Sequence, residues 1–324
     1  MRLPVVLTAL WLLTTPLRAG AQPTFESVGE RALGMAGAFV AVADDSTAVH
    51  WNPAGLVHGG PAGMTIGWDR FQFGNSDAPM TIGSRRRGTA FTSLGSWPVG
   101  VSFGRFNNTA IASDENGVPQ TVRLRVNQYG LTMLQTLIEG IVVGGTVKYL
   151  RGNVASAPSQ GFSNEDAFES LDDIDGITSQ EFDVDLGLMV DMDKVRVGFV
   201  FKNLLTPEFT EVPVPATTLQ KQMRMGVAVL PTAGLTLAMD IDLDTVDLHG
   251  GDLRRNIAFG GESRLGGRMA VRGGVRWSLE GLKRTVWAGG ASVLLRPGMW
   301  IDSHYSYGTR GEDRGFGASM RAGF

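Results

Sequence analysis

Along most of this chain every second residue is apolar. In the last twelve residues Phe316, Ala318, Met320, Ala322 and Phe324 share one side of an extended backbone, while Gly315, Gly317, Ser319, Arg321 and Gly323 share the other. A period of two marks a strand with one apolar and one polar face. The pattern returns in Phe182 to Val190, Val195 to Phe201, Leu235 to Leu243 and Met269 to Trp277. It divides the chain into segments near 62–72, 79–93, 97–107, 119–135, 138–152, 180–191, 194–204, 217–229, 234–245, 253–264, 267–279, 283–294, 298–309 and 313–324. These are about fourteen strands of roughly 11 residues, the length a tilted membrane-crossing strand needs.

The connections fall into two classes. Glu139-Gly140, Asp193-Lys194, Thr232-Ala233-Gly234, Gly266-Gly267 and Arg296-Pro297-Gly298 are minimal, whereas 108–118, 153–179, 205–216 and 246–252 are long and polar. Short turns at one end and long loops at the other are the signature of an outer-membrane barrel, and a soluble sandwich has no reason to sort its loops that way. Closure also removes the unpaired edges that lipid cannot hydrogen-bond. The expected fold is therefore all-β: a transmembrane antiparallel β-barrel of about 14 strands, with the short turns and the N-terminal segment periplasmic. One strand breaks phase, because even positions are apolar from Val122 to Val126 and odd ones from Tyr129 to Met133. Either a β-bulge near Asn127-Gln128 flips the strand, or its upper half stands clear of the membrane, where facing matters less.

Composition narrows the compartment. Arg2, the apolar run Leu3 to Leu13 and the small-residue site Ala19-Gly20-Ala21 read as a secretory signal over 1–21, cleaved before Gln22. About 11 apolar residues fall short of the roughly 20 that a membrane-spanning helix needs. Cysteine is absent, which excludes a lipoprotein anchor and a disulfide framework. Loss of Arg2 and Arg18 leaves 27 basic against 32 acidic residues, a formal charge of −5, and no basic patch suggests nucleic acid. The four histidines, His50, His58, His249 and His304, are scattered, so no metal or other cofactor is expected. The acidic stretch Glu165, Asp166, Glu169, Asp172, Asp173, Asp175 and Glu181 lacks calcium-loop spacing and reads as a solvated loop.

Before the first strand stands "RALGMAGAFVAVADDSTAVHWNPAGL", residues 31–56. Arg31, Ala32, Gly34, Gly37 and Ala38, then Ala43-Asp44-Asp45, then Trp51-Asn52-Pro53-Ala54-Gly55-Leu56, resemble the N-terminal signature of the FadL-like outer-membrane barrels, nearest to their PorV/PorQ and TraF-like branch. That resemblance implies fourteen strands and an N-terminal segment folded inward as a plug. The domains are then a plug segment over 22–60, short and partly helical, and a barrel over 61–324. Asp44, Asp45 or Ser46 can cap a short helix, and Pro53 forces Asn52 out of the helical region and ends it. The plug motif is accordingly Asp44, Asp45, Trp51, Asn52, Pro53, Ala54 and Gly55. The C-terminal Phe324 resembles the signal read by the barrel-assembly machinery, an expected partner besides outer-membrane lipid.

Charges on the other strand face point into the lumen. Asp183 and Asp185 lie on the strand beside Arg196 and Lys202, Arg224 beside Asp240 and Asp242, and Glu262 and Arg264 beside Arg268, Arg272 and Arg276. Opposite charges on neighbouring strands can pair and brace the wall, or line a polar conduit. The sequence His304-Tyr305-Ser306 carries a histidine–serine pair like that of a barrel phospholipase, but Tyr305 claims the outer face and turns the pair inward, so no enzyme is expected. Trp277, Trp287, Tyr305 and Tyr307 read as interfacial aromatics. Two functions remain: a plug-gated transporter of small hydrophobic ligands, as the resemblance implies, or a non-transporting barrel that docks a secretion partner protein.

Overall fold

Outside and inside are exchanged relative to a water-soluble sheet. The computed structural model describes residues 28–74, 79–80, 84–113, 118–159, 163–171, 173–209, 218–247, 253–281, 283–309 and 313–324. The leader over 1–21, the cleavage point before Gln22, Asp172 and parts of the long loops lie outside them. In the strand Met299–Gly308, Ile301, Tyr305 and Tyr307 are exposed, while Asp302, His304 and Ser306 are buried. Ile66, Trp68, Leu131, Val147, Phe182 and Leu237 are all close to half exposed or more, so the exterior is an apolar band. Such a band is stable against hydrocarbon and costly in water.

The strands are β1 (Gly63–Phe73), β2 (Arg85–Ser96), β3 (Val99–Ser113), β4 (Pro119–Ile138), β5 (Ile141–Pro158), β6 (Ile177–Met192), β7 (Val195–Lys202) and β8 (Gln222–Thr232). There follow β9 (Leu235–Asp242), the short pair β10 (Val246–Asp247) and β11 (Leu253–Arg254), then β12 (Asn256–Leu265), β13 (Met269–Ser278), β14 (Thr285–Arg296), β15 (Met299–Gly308) and β16 (Asp313–Gly323). All but β10 and β11 form one closed antiparallel barrel, each strand beside its neighbour in sequence and β16 sealing onto β1. The seal ends with the Phe324 amide donating to Ala62 O at 2.9 Å. Fourteen strands close the wall, each corresponding to one segment read from the alternation.

The differences are informative. Of the two explanations left open for β4, the bulge near Asn127-Gln128 is absent: β4 pairs without interruption through these residues with both β3 and β5. Even positions face the lumen along the whole strand. Val122, Leu124 and Val126 are buried there against Phe209 and Leu219 of the β7–β8 loop, which folds into the mouth of the barrel. The apparent phase change arises because loop residues cover the lumen face above and lipid the outer face below. At 20 residues β4 far exceeds the roughly 9–11 a tilted crossing needs. For the same reason β5 and β6 run on into the segment expected as the loop 153–179. What remains of that loop carries the helix Asn164–Glu169, begun by a Ser163–Asp166 capping box. The loop expected over 246–252 contributes the extra hairpin β10–β11.

Turn chemistry explains the short end. Gly266 and Gly267 both have positive φ, 56° and 68°, a conformation glycine adopts without strain, in the three-residue turn 266–268 between the paired Leu265 and Met269. This turn takes Arg268, expected in the lumen, out to an exposed position beyond the strand. Arg264 is exposed at the same rim.

Substitution Val147→Arg on the lipid face of β5, two residues closer to the midplane than the aromatic Tyr149, should destabilise the barrel in bilayers by about 1–2 kcal/mol, between the interfacial and midplane values for a cation. Urea unfolding in lipid vesicles measures this, and unchanged stability would refute the outward, lipid-facing placement of Val147.

Candidate functional site

Residues 28–60 lie inside the barrel. The segment consists of α1 (Glu30–Gly34), α2 (Ala48–Trp51) and a 3-10 turn (Pro53–His58), with irregular chain between them. Val28, Met35, Phe39, Val40, Trp51 and Ala54 have no exposed surface and form the core of the lumen with inward residues such as Phe91 and Met189. The wall makes room with glycines. A Cβ at Gly187 would fall 2.2 Å from Asn52 Oδ1, at Gly144 2.6 Å from Ala54 N, and at Gly260 2.6 Å from Met35 O. Chain backbone thus packs on chain backbone, which the small residues of both partners permit.

Asn52 joins plug to wall. It is fully buried, and its Nδ2 donates to Val40 O and to Leu188 O of β6, each at 3.1 Å. Its Oδ1 accepts from Ala54 N at 3.2 Å, capping the 3-10 turn. Its backbone is extended, φ −161° and ψ 104°, as a residue before proline should be. The chain does not turn directly into the wall after Pro53, as expected; it makes the 3-10 turn first, because Gly55 packs under Ala43 O, where a Cβ would approach to 2.1 Å. Trp51 donates from Nε1 to Val28 O at 2.8 Å and meets Phe39 edge-on.

The aspartates do something other than cap α2, whose N-cap is Thr47 without a side-chain bond. Asp45 Oδ1 accepts from Thr47 N at 2.9 Å and from Thr47 Oγ1 at 2.5 Å, closing a turn one residue earlier. Both Asp44 and Asp45 are counterions of Arg31. Arg31 also grips Glu262 of β12 with two bonds of 2.8 Å. Glu262 continues to Arg272 at 3.3 Å, Arg272 to Asp302 at 3.6 Å, and Asp302 to Arg321 at 3.1 Å. One chain of alternating charge therefore runs from the plug across β12, β13, β15 and β16. Burial opposes the charge on Arg31, but Asp44 and Glu262 outweigh it and hold its pKa above the usual arginine value.

Elsewhere the wall holds the plug by its backbone. Asp240 accepts from Phe39 N and Val40 N, both at 2.9 Å. Arg276 reaches Ala36 O at 3.4 Å, and Arg224 reaches Gly37 O at 3.5 Å while pairing with Asp242 at 2.6 Å. Of the β7 cations expected beside Asp183 and Asp185, Lys202 interacts electrostatically with both acids, whereas Arg196 pairs elsewhere. Asp183 and Asp185 also both contact Lys148 of the opposite neighbour, β5, at 2.6 Å. Lys202 lies 3.1 Å from His50 Nε2 of the plug, and Arg196 pairs with Asp191 at the short-turn rim. Lys148 escaped sequence reading, although its inward position between outward Val147 and Tyr149 was the available signal. Among the described residues no group of histidines and acids could hold a metal.

Glu30 is the unbalanced member. It is 1% exposed, its Oε2 has no hydrogen-bond partner, and it lies against Gly67 and Gly317. Burial pushes its pKa up from 4.5 to about 8, with the nearby Asp69 and Asp302 adding to the rise. The folded state therefore holds a proton that the released segment gives up. The stabilisation is full below pH 4.5 and lost as pH rises through about 8. Beside Asp44, Asp45, Leu56, Trp300 and Arg321 a cavity of about 150 Å³ separates plug from wall at the short-turn end.

Hydrogen exchange should show plug amides near Glu30 losing protection between pH 6 and 9 in the parent chain but not in Glu30→Gln; a shared profile would refute the proton. Asn52→Leu strands two buried carbonyls, at about 1–3 kcal/mol each. It should expose residues 28–60 to protease while the wall keeps its heat-modifiable gel shift; loss of that shift would make the segment part of the folding core.

Comparison with known proteins agrees with this architecture. The family model described as the TraF protein of the F plasmid transfer operon matches residues 120–242. The monoaromatic hydrocarbon channel CymD superposes with a TM-score of 0.66 at 15% identity, over 93% of this chain and 98% of its own. A Pseudomonas aeruginosa FadL homologue gives 0.63 at 11% identity, over 94% and 100%. The Pseudomonas putida toluene transporter TodX gives 0.60 at 12%, over 94% and 98%. No curated protein sequence matches the chain. At these identities the likeness is one of fold, and the fold is that of the FadL-type hydrocarbon channels.

Proposed function

We propose that this protein is a plug-gated channel of the outer membrane that passes small hydrophobic molecules, of the TraF-like and PorV/PorQ-like branch of the FadL-type barrels. The observation that carries this reading is the mode of attachment of the plug. It is fixed by buried ion pairs and backbone hydrogen bonds to the wall, centred on Arg31 and Asn52, and these can be exchanged for water without opening a strand ladder. Phe209 and Leu219 pack on Val122, Leu124 and Val126 as a buried apolar cluster near the outer mouth, an apolar lining that such a molecule would meet if it parts. The cavity between Asp44, Leu56 and Arg321 is the point from which the plug gives way toward the short-turn end. The channel titles of CymD and TodX point to the same cargo class. The aromatic and aliphatic exterior supports insertion into the outer membrane.

Removing one partner of a buried pair leaves an uncompensated charge, at about 3–5 kcal/mol. Arg31→Gln should therefore free the plug and raise uptake of a fluorescent long-chain fatty acid into proteoliposomes, as should deletion of 22–52. Equal, negligible uptake by all three proteins with intact walls would overturn the transport reading. It would favour a docking scaffold for a secreted partner, the role to which the structured Asn164–Glu169 loop is suited.

A further inference from the structure

A second cavity, of about 400 Å³, lies against the outside of the wall. Its lining includes Trp68 and Arg70 of β1, Arg86 of β2, Arg105 of β3, Arg123 of β4 and, above, Phe168 of the helix Asn164–Glu169, which we label α3. These strand residues alternate with lumen-facing ones: Asp69, Arg87, Phe106 and Leu124 are buried on the other face. The floor is open because a Cβ at Gly88 would meet nothing within 4 Å.

The loop carrying α3 folds down over this face. Phe168 and Ala167 cover Ile111, and Arg123 donates to Leu171 O and Ile174 O at 2.7 and 2.9 Å. Glu165 pairs with Arg86 at 2.8 Å. Arg123 is 6% exposed and its Nε has no hydrogen-bond partner. Arg70 and Arg105 are exposed, and no described residue forms an ion pair with either. Four outward guanidinium groups thus line one roofed recess, with the paired Arg87 and Asp69 of the other face at its floor and Glu165 meeting Arg86 at its edge.

Height decides what such a recess meets. Phe103, Tyr129, Tyr149 and Phe182 stand opposite one another on successive strands, with ring centroids 5.1, 6.1 and 5.4 Å apart. Trp68 and Phe316 form a further outward aromatic pair on β1 and β16, 5.7 Å apart. Aromatics of this kind mark the boundary between hydrocarbon and headgroups. Arg70 and Arg105 sit two residues beyond Trp68 and Phe103 toward the long loops. Ile66, Val101 and Leu131, on the near side of the band, are exposed and apolar.

We infer that this recess binds the phosphorylated headgroup of an outer-leaflet lipid, with Arg70 and Arg105 reaching the phosphate and the acyl chains lying on the wall beneath Trp68. The ligand is a phosphate ester of an amphiphile rather than a free anion, because the cations stand where an apolar wall begins. Arg123 and Arg86 hold the α3 loop as a roof, so bound lipid also steadies that loop. The inference rests on the outer-membrane reading above.

The test uses the detergent-solubilised full chain in maltoside micelles containing bisphosphorylated lipid A, its dephosphorylated form, or inorganic phosphate, with bound lipid read by native mass spectrometry. Charge-assisted contacts to the phosphate should make the phosphorylated lipid be retained at least about tenfold better than the dephosphorylated form. The double substitution Arg70→Gln with Arg105→Gln, both on exposed residues, should abolish that preference while the heat-modifiable gel shift persists. Equal retention of both lipids, or a preference that survives the double substitution, would overturn the proposal. Inorganic phosphate displacing the lipid at equal concentration would also overturn it, in favour of a free-anion site. Density fractionation of cell membranes separates the two readings: absence from the outer-membrane fraction would remove the membrane placement whatever the micelles show.

Discussion

A backbone in hydrocarbon finds no partner but another backbone, and this constraint orders everything else in the structure. Every wall strand must be hydrogen-bonded on both edges, so the ladder closes from β1 to β16. Closure turns the apolar face of each strand outward and the polar face inward. The interior of this protein is therefore built from the residues a soluble protein would show to water. Asp183, Asp240, Glu262, Arg272 and Asp302 are all nearly or fully buried.

Those inward charges create the second requirement, which is compensation. A buried charge without a partner is costly, so the lumen is filled with something that supplies partners. The N-terminal segment does so with few charges of its own. Arg31, Asp44 and Asp45 extend the wall's alternating network, and the free amides of Phe39 and Val40 satisfy Asp240. The segment is held both by these polar bonds, which water can replace, and by the apolar core that Val28, Met35, Phe39 and Trp51 form with the wall. Neither attachment uses the strand ladder, so the wall's hydrogen bonds do not depend on the seating of the segment.

Both the strand count and the facing of most residues were legible from alternation, because the side-chain period of a strand is two and lipid enforces it. Legibility failed where another layer covers the wall. On β4 the apolar Val122, Leu124 and Val126 meet a loop inside the mouth, while Thr109, Ile111 and Arg123 are covered by the α3 loop outside. Hydropathy reports that a side chain is covered, not which side covers it. Arg268 was misplaced for a simpler reason: one residue of turn decides whether a rim side chain is in the lumen or in water.

The sequence by itself determined the class of fold, the fourteen strands and the sorting of short turns from long loops. These follow from local period and turn residues; the inward placing of the N-terminal segment was an implication of its resemblance to the FadL-like barrels. Only the tertiary structure decided the pairings. Asp183 and Asp185 could face cations on either neighbouring strand, and the ladder register placed Lys148 between them. The role of Arg31 depends on Glu262, 231 residues away. Such distant partners are fixed by barrel closure and by the depth to which the plug is seated, and neither is written in any local stretch of the chain.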